Sequence, residues 1–464
     1  MKLSSFAIGS AFLILIFSLG GCGGTASTND SIKRPVYTEI STLNQSTAPP
    51  AQTHTPTPSK TPVTSVPAQA ATPSASQTTI TPASSNKRFT VLQKVNNRPT
   101  IPVFAPWAGS TGCSLAADAV FQFQCDSAET PYSLIWTGVG IPVDIEQTQP
   151  EVSPEQTGLM RGDKDTLYIV SEDWLYWNAQ WRYLDSASPY YTNKHFAFSA
   201  GEPVKYIKFF HSNWPNVLAT KALNYKKAGF DGMILDWWHN ESVDVTLFES
   251  DPSFIDIDMH RLAIARAIRA RTGDDFLLMG NVNWKTDDPT AQYLSGAFFE
   301  LWKYNPRQPY VHTIDEENQS WSLERMEKIL RYWDTNLREP KVLAFEPFKT
   351  DVTSDYQQDH FAPENIQRAK LITAMVMVIP KNGYILYADG YGNARREHGH
   401  PYYDFYHTDF GKPVSREINI RYGVGYRRYE RGFIAYNRTT SPETISVDGN
   451  SYTLQGSEGL FVSK

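Results

Sequence analysis

Gly229-Phe230-Asp231-Gly232-Met233-Ile234-Leu235-Asp236-Trp237-Trp238-His239-Asn240 is the stretch that decides the architecture. Its apolar centre, Met233 to Leu235, is too short for a helix. Glycine on one side and a polar, aromatic cluster on the other bound it as a buried parallel strand. The strand ends on a carboxylate, because Asp236 stands where the apolar run stops, beside Trp237, Trp238 and His239. In parallel α/β architectures, ligands bind at that end of the strands. An aspartate there also serves as a cap, and tryptophans also fill cores, so the rest of the chain has to separate the two readings.

Working outward, short β-rich runs recur from residue 98 onward. Thr100 to Trp107, Tyr132 to Val139, Thr166 to Glu172, Asp231 to Trp238, Phe276 to Trp284, Gly296 to Trp302, Lys341 to Phe348 and Gly383 to Asp389 read as eight strands. Helical patterns separate them most clearly in the second half. One helix begins near Asn216 and stops at Gly229, another spans about Ser253 to Arg271, a third follows Ser322, and a fourth starts at Pro363. Eight strands alternating with helices predict an α/β fold, a (β/α)8 TIM barrel over residues 98–390. No glycine-rich phosphate loop follows the first strand, which disfavours a dinucleotide-binding sheet. The aromatic segment Trp174 to Pro215 is expected to form a wall or lid. After Gly390 the pattern changes to short strands at Tyr426–Tyr429, Phe433–Tyr436, Thr444–Val447, Ser451–Leu454 and Gly459–Val462. With a hairpin turn at Asp448-Gly449-Asn450, these make residues 391–464 a small β-rich appendage.

The N-terminal quarter reads differently. Residues 1–22 form an export signal, with Lys2 as the positive end, an apolar run from Phe6 to Phe17, and an ending Leu19-Gly20-Gly21-Cys22. This ending resembles the lipobox of bacterial lipoproteins, which implies that Cys22 is acylated and anchors the chain to a membrane. Residues 23–88 are rich in Thr, Ser, Pro and Ala and predict a disordered tether, with a root-mean-square reach of roughly 45 Å. The expected location is therefore outside the cytoplasm, at the cell surface or in the periplasm. Cys113 and Cys125 are the two remaining cysteines; joined, they would close a short loop worth up to about 3 kcal/mol, and two buried thiols are the alternative.

Composition narrows the function. With 41% hydrophobic and 20% charged residues in 464, and a net charge of −6, the chain has no basic excess for nucleic acid. Its aromatic content of 13%, with 12 Trp and 25 Tyr, suits the stacking of sugar rings. Three of the predicted strands end on acids flanked by aromatics: Asp236, Glu300 and Glu346. Cleaving a glycosidic bond needs two carboxyl groups in one cleft, one protonated and one ionised. Inward side chains at one level of such a barrel come from alternate strands, so Asp236 and Glu300, on the fourth and sixth, are the expected catalytic pair. Glu300, between Phe299 and Leu301-Trp302, reads as the general acid, Asp236 as the nucleophile or base, and Glu346 as a possible third acid. Trp237, Trp238, His239, Asn283 and Trp302 are the expected substrate-binding residues.

Gly229 to Trp238, Gly280-Asn281-Val282-Asn283, Phe298 to Trp302 and Tyr426 to Asn437 resemble TIM-barrel glycoside hydrolases related to the endo-α-1,4-polygalactosaminidases, glycoside hydrolase family 114. The family's acids at the ends of strands four and six match Asp236 and Glu300. The resemblance implies a glycosidase acting on an oligosaccharide or polysaccharide; no metal cluster of recognised spacing is seen, so no cofactor or metal is expected, and the chain is expected to act as a monomer. Trp237-Trp238 stands where the polygalactosaminidases carry smaller polar residues, which bears on the substrate. Two alternatives lead elsewhere: a non-catalytic carbohydrate-binding lipoprotein on a barrel scaffold, and a metal-dependent hydrolase using His211, Asp236 and His239.

Overall fold

The computed structural model describes residues 90–108, 132–137, 164–177, 187–197, 203–240, 243–301, 307–313, 321–353, 359–388 and 398–464, all within one compact unit, Pro82–Lys464. Cys22, the tether, Cys113, Cys125 and Trp302 lie outside the described residues. Among those described, no helix is long and apolar enough to cross a membrane.

The strands in chain order begin with β1 (Val103–Ala108), β2 (Tyr132–Thr137) and β3 (Leu167–Asp173). Next come β4 (Tyr176–Trp177), β5 (His195–Ala197) and β6 (Pro203–Tyr206), which make a three-stranded antiparallel sheet within the segment expected to be a wall or lid. The parallel series then resumes with β7 (Gly232–Asp236), β8 (Leu277–Asn281), β9 (Gly296–Leu301), β10 (Val342–Pro347) and β11 (Asn382–Ile385). β1, β2, β3 and β7 to β11 form a closed eight-stranded parallel barrel, sealed where Val103 pairs with Ile385. All eight expected strands are present, most of them shorter than the apolar runs suggested.

Local chemistry sets the helices. α1 (Val91–Asn97) starts in a capping box between Thr90 and Gln93, and its Lys94 reaches Asp231 at 2.7 Å, next to the first residue of β7. α2 (Trp214–Ala228) stops at Gly229, whose φ of 103° is left-handed. Asp256 caps α3 (Ile257–Thr272), Ser322 caps α4 (Leu323–Asn336), and Pro363 opens α5 (Pro363–Val378). Gly232 is required for a different reason: a Cβ there would lie 2.1 Å from the Leu277 carbonyl oxygen, so any side chain would force β7 and β8 apart.

Alternation along the strands sorts the side chains. Phe298 and Glu300 share the inner face of β9, while Phe299 faces out against Phe345 and Trp333, with ring centroids at 5.4 and 6.3 Å. Inside, Phe104, Trp136 and Phe298 pack face and edge at 5.0 to 5.9 Å and fill the barrel below its rim.

The C-terminal residues add β12 (Ile418–Arg421), β13 (Val424–Tyr429), β14 (Gly432–Asn437), β15 (Glu443–Val447), β16 (Asn450–Leu454) and β17 (Glu458–Ser463). β12 escaped the sequence reading because its side chains are mostly exposed and leave no alternating pattern. The β15–β16 hairpin turns on Asp448 and Gly449, both at positive φ, as a two-residue type I′ loop requires. One face of the four-stranded sheet β12–β13–β14–β17 joins the main core through Tyr429, Ile434 and Tyr436; the other packs Tyr426, Phe433 and Ala435 against Ile445, Val447 and Leu454 of the hairpin. Glu327 of α4, fully buried, binds both Arg331 and Arg438, and Arg331 also binds Glu417 at 2.6 Å, tying this sheet to the barrel's helices.

Candidate active site

The C-terminal rim of the barrel gathers acids on the inner faces of adjacent strands. Asp173 at the end of β3 is the register partner of Asp236 at the end of β7, and Glu300 of β9 is the register partner of Glu346 on β10. Between the two pairs stands Asn281, the last residue of β8. Its Nδ2 donates to Asp236 Oδ1 and to Glu300 Oε2, each at 2.9 Å. Asp236 Oδ1 also accepts from the Trp237 backbone N–H at 2.9 Å. The Oδ1 of Asn281 is buried and has no hydrogen-bond partner among the described residues.

The three sequence-predicted acids therefore converge, but their environments differ from expectation. The apolar neighbours Phe299 and Leu301 lie on the opposite face of β9 from Glu300, which is half-buried. Adjacent residues of a strand point to opposite sides, so proximity in sequence does not desolvate. Glu346 is the acid that burial affects: it is 0% exposed, and desolvation holds its carboxyl well above the usual range. Its Oε1 lies 2.8 Å from Nδ1 of His398, and its Oε2 is buried without a partner among the described residues. The His398 ring in turn lies tilted against that of Trp107, with centroids 4.7 Å apart.

The rim is also conformationally strained. Trp107, Trp237, Asn283 and His398 all have positive φ, between 45° and 68°. A non-glycine residue held in this region costs about 1–3 kcal/mol, and such residues concentrate at functional sites.

Placement of the predicted binding residues is mixed. Trp237 is half-buried and nearly parallel to His239, with ring centroids 6.4 Å apart. The His239 imidazole, held by Asn283 Nδ2 at 3.2 Å, has its pKa lowered to about 3 by burial, with Arg261 and Lys285 adding repulsion, so it remains neutral. Trp238 is corrected: it is fully buried outside the barrel, against Trp174 and under the Arg261 guanidinium, with Nε1 donating to Thr290 Oγ1 at 2.8 Å. At 0% exposure it supports the strand and presents no ring face at the rim. Trp302 lies outside the described residues.

The metal alternative is likewise redrawn. His211 packs against Tyr190, and its Nδ1 accepts the Asn213 backbone N–H. Among the described residues the one compact grouping of candidate metal ligands is Glu300, Glu346 and His398, with one ligand atom of each within 4.8 Å of the others, and not His211, Asp236 and His239.

Sequence reasoning missed Asp173, Asn281, His398 and Trp107. Asp173 follows Glu172, where the predicted strand stopped. Extending that strand by one residue and applying alternation separates the two, since Glu172 faces out to Lys221 at 2.7 Å and Tyr225 at 2.8 Å. His398 carries no local signal.

No known family profile matches the sequence, and no curated protein matches it. Among solved structures, the chain is similar to the type III pullulan hydrolase from Thermococcus kodakarensis, at 12% identity and a TM-score of 0.41, covering 77% of this chain and 74% of that one. It is also similar to the ligand-free cyclic α-maltosyl-(1→6)-maltose hydrolase from Arthrobacter globiformis, at 10% identity, a TM-score of 0.42, and 78% and 98% of the two chains. A third is the Nostoc punctiforme debranching enzyme, at 11% identity, a TM-score of 0.42, and 78% and 98% coverage. Likenesses this distant bear on no residue of the site described above.

Proposed function

We propose that this chain is an exported, lipid-anchored glycoside hydrolase that cleaves an oligosaccharide or polysaccharide with retention of configuration, Asp236 acting as nucleophile and Glu300 as acid and base. The observation that carries this reading is the single amide donor, Asn281 Nδ2, 2.9 Å from both carboxylates at the C-terminal end of a closed parallel barrel. The two oxygens sharing this donor are at most about 5.8 Å apart, and so short an approach of the carboxylates favours the ~5–5.5 Å spacing of retaining enzymes over the ~6.5–9.5 Å of inverting ones.

In the first step Asp236 forms a bond to the anomeric carbon as the bond to the leaving oxygen breaks, and the Glu300 proton passes to that oxygen. In the second, water gives a proton to Glu300 and attacks the same carbon, releasing Asp236. Burial raises the Glu346 pKa and so disfavours a second negative charge beside Glu300. The half-buried Trp107 and Trp237 offer ring faces for stacking. A rim this rich in acids also suits amino sugars, the substrate class that the polygalactosaminidase resemblance implies.

The test is proton NMR of the first product released from polygalactosamine and from neutral oligosaccharides, with and without a chelator. Retention, unchanged by chelation, is expected. A first product of inverted configuration would remove the two-step mechanism. Loss on chelation with recovery on adding zinc or manganese would move the chemistry to Glu300, Glu346 and His398, and sugar binding without turnover would make the protein a carbohydrate-binding scaffold.

The anchoring is tested separately. Cys22→Ala is expected to abolish incorporation of a fatty-acid label, since Cys22 ends the signal; undiminished labelling would remove the lipoprotein reading.

A further inference from the structure

At the opposite end of the barrel, where the strands begin, a cleft of about 580 Å³ opens between the starts of β1 and β11 and the C-terminal sheet. Arg98, Lys381, Lys412, Arg416 and Arg427 line it, and no lining residue is acidic. Two of these cations are neutralised from outside: Lys381 binds Glu339 at 2.8 Å, and Arg416 binds Asp334 at 2.6 Å. The other three form no ion pair among the described residues.

Arg427 is the telling case, because it is 4% exposed and its partners, backbone carbonyls and the side chain of Tyr429, are all uncharged. Its Nε reaches the Ser415 oxygen at 3.0 Å, and its Nη1 the oxygens of Met377, Pro380 and Lys381 at 2.9 to 3.2 Å. Arg98 bonds the carbonyls of Val95 and Lys381, and its Nε is buried with no partner among the described residues. Burial lowers the Arg427 pKa; Tyr429 and Asp334 oppose this, and repulsion from Arg98 and Arg416 adds to it. Asp334, which acts on Arg427, is already paired with Arg416, and an anion in the cleft would add a counter-charge shared by the buried Arg427 and the half-buried Arg98.

We propose that this cleft is an oxyanion-binding site, taking phosphate or the carboxylate of an acidic saccharide between Arg98 and Arg427, with Lys412 at its mouth. Planar guanidinium groups favour such oxygens, and the volume falls within the range of about 300–1,000 Å³ typical of small-molecule sites. The proposal does not rest on the glycosidase reading, since it uses residues at the other end of the strands.

The full chain is titrated calorimetrically with inorganic phosphate and, separately, with oligomers of glucuronic acid, at fixed ionic strength. At least one is expected to bind, and which one identifies the source of the anion. Arg98→Gln should weaken that binding about 30-fold. The exposed Lys412→Gln, which leaves the fold intact, should weaken it about threefold and flatten its salt dependence. Failure of both ligands to bind at up to about 10 mM, or affinities unchanged in both variants, overturns the proposal.

Discussion

Asp236→Ala is expected to lose at least about 10³-fold in kcat on every substrate, and azide is expected to restore turnover of an activated aryl glycoside as a glycosyl azide of inverted configuration. The small anion enters from the face the carboxylate occupied, so the stereochemistry reports which carboxylate was the nucleophile. Glu300→Ala should behave differently. Azide attacks the intermediate on Asp236 and gives an azide of retained configuration. Glu300→Gln should lose about 10²–10⁴-fold on substrates whose leaving group needs a proton, and much less on aryl glycosides. A retained azide product from Glu346→Ala in place of Glu300→Ala would transfer the acid role to Glu346. Unimpaired activity in Asp236→Ala would end the carboxylate mechanism for this site.

The second large effect concerns stability. Because Glu346 is buried and its pKa is raised, the native state holds its proton to higher pH than the unfolded chain does. Its contribution to stability is fully present below the ordinary carboxyl value of about 4.3 and is lost as pH rises toward the folded pKa. Across that window the native protein should lose up to about 1.4 kcal/mol per pH unit relative to Glu346→Gln, which keeps the shape and cannot ionise. Urea denaturation of the two proteins from pH 4 to 8 checks this, with the gap expected to widen in favour of Glu346→Gln as pH rises. Parallel curves would mean that the folded state does not raise the Glu346 pKa.

Much of the barrel is determined by local sequence. A parallel strand buried on both faces must be a short apolar run, and Met233 to Leu235, Phe276 to Met279 and Val342 to Phe345 show it directly. Helix ends at Gly229, Ser322 and Pro363 follow from the backbone chemistry of those residue types and need no tertiary contact. The acids Asp236, Glu300 and Glu346 could be picked out because each ends such a run.

What each acid experiences was decided by the tertiary structure. Burial depends on what lies across the barrel, not on sequence neighbours, so Phe299 beside Glu300 desolvates nothing, while Glu346 loses its water to residues remote in the chain. Asn281 ties Asp236 to Glu300 because the register of β7, β8 and β9 brings one amide between two strands, and register is a property of the sheet. Trp237 and Trp238 differ by one position and go to opposite fates for the same reason, one at the rim and one sealed under Arg261. His398, on a chain segment beyond the last barrel strand, reaches Glu346 from 52 residues away. The cationic cleft likewise joins Arg98 to Arg427 across most of the described chain, and only folding brings their charges together.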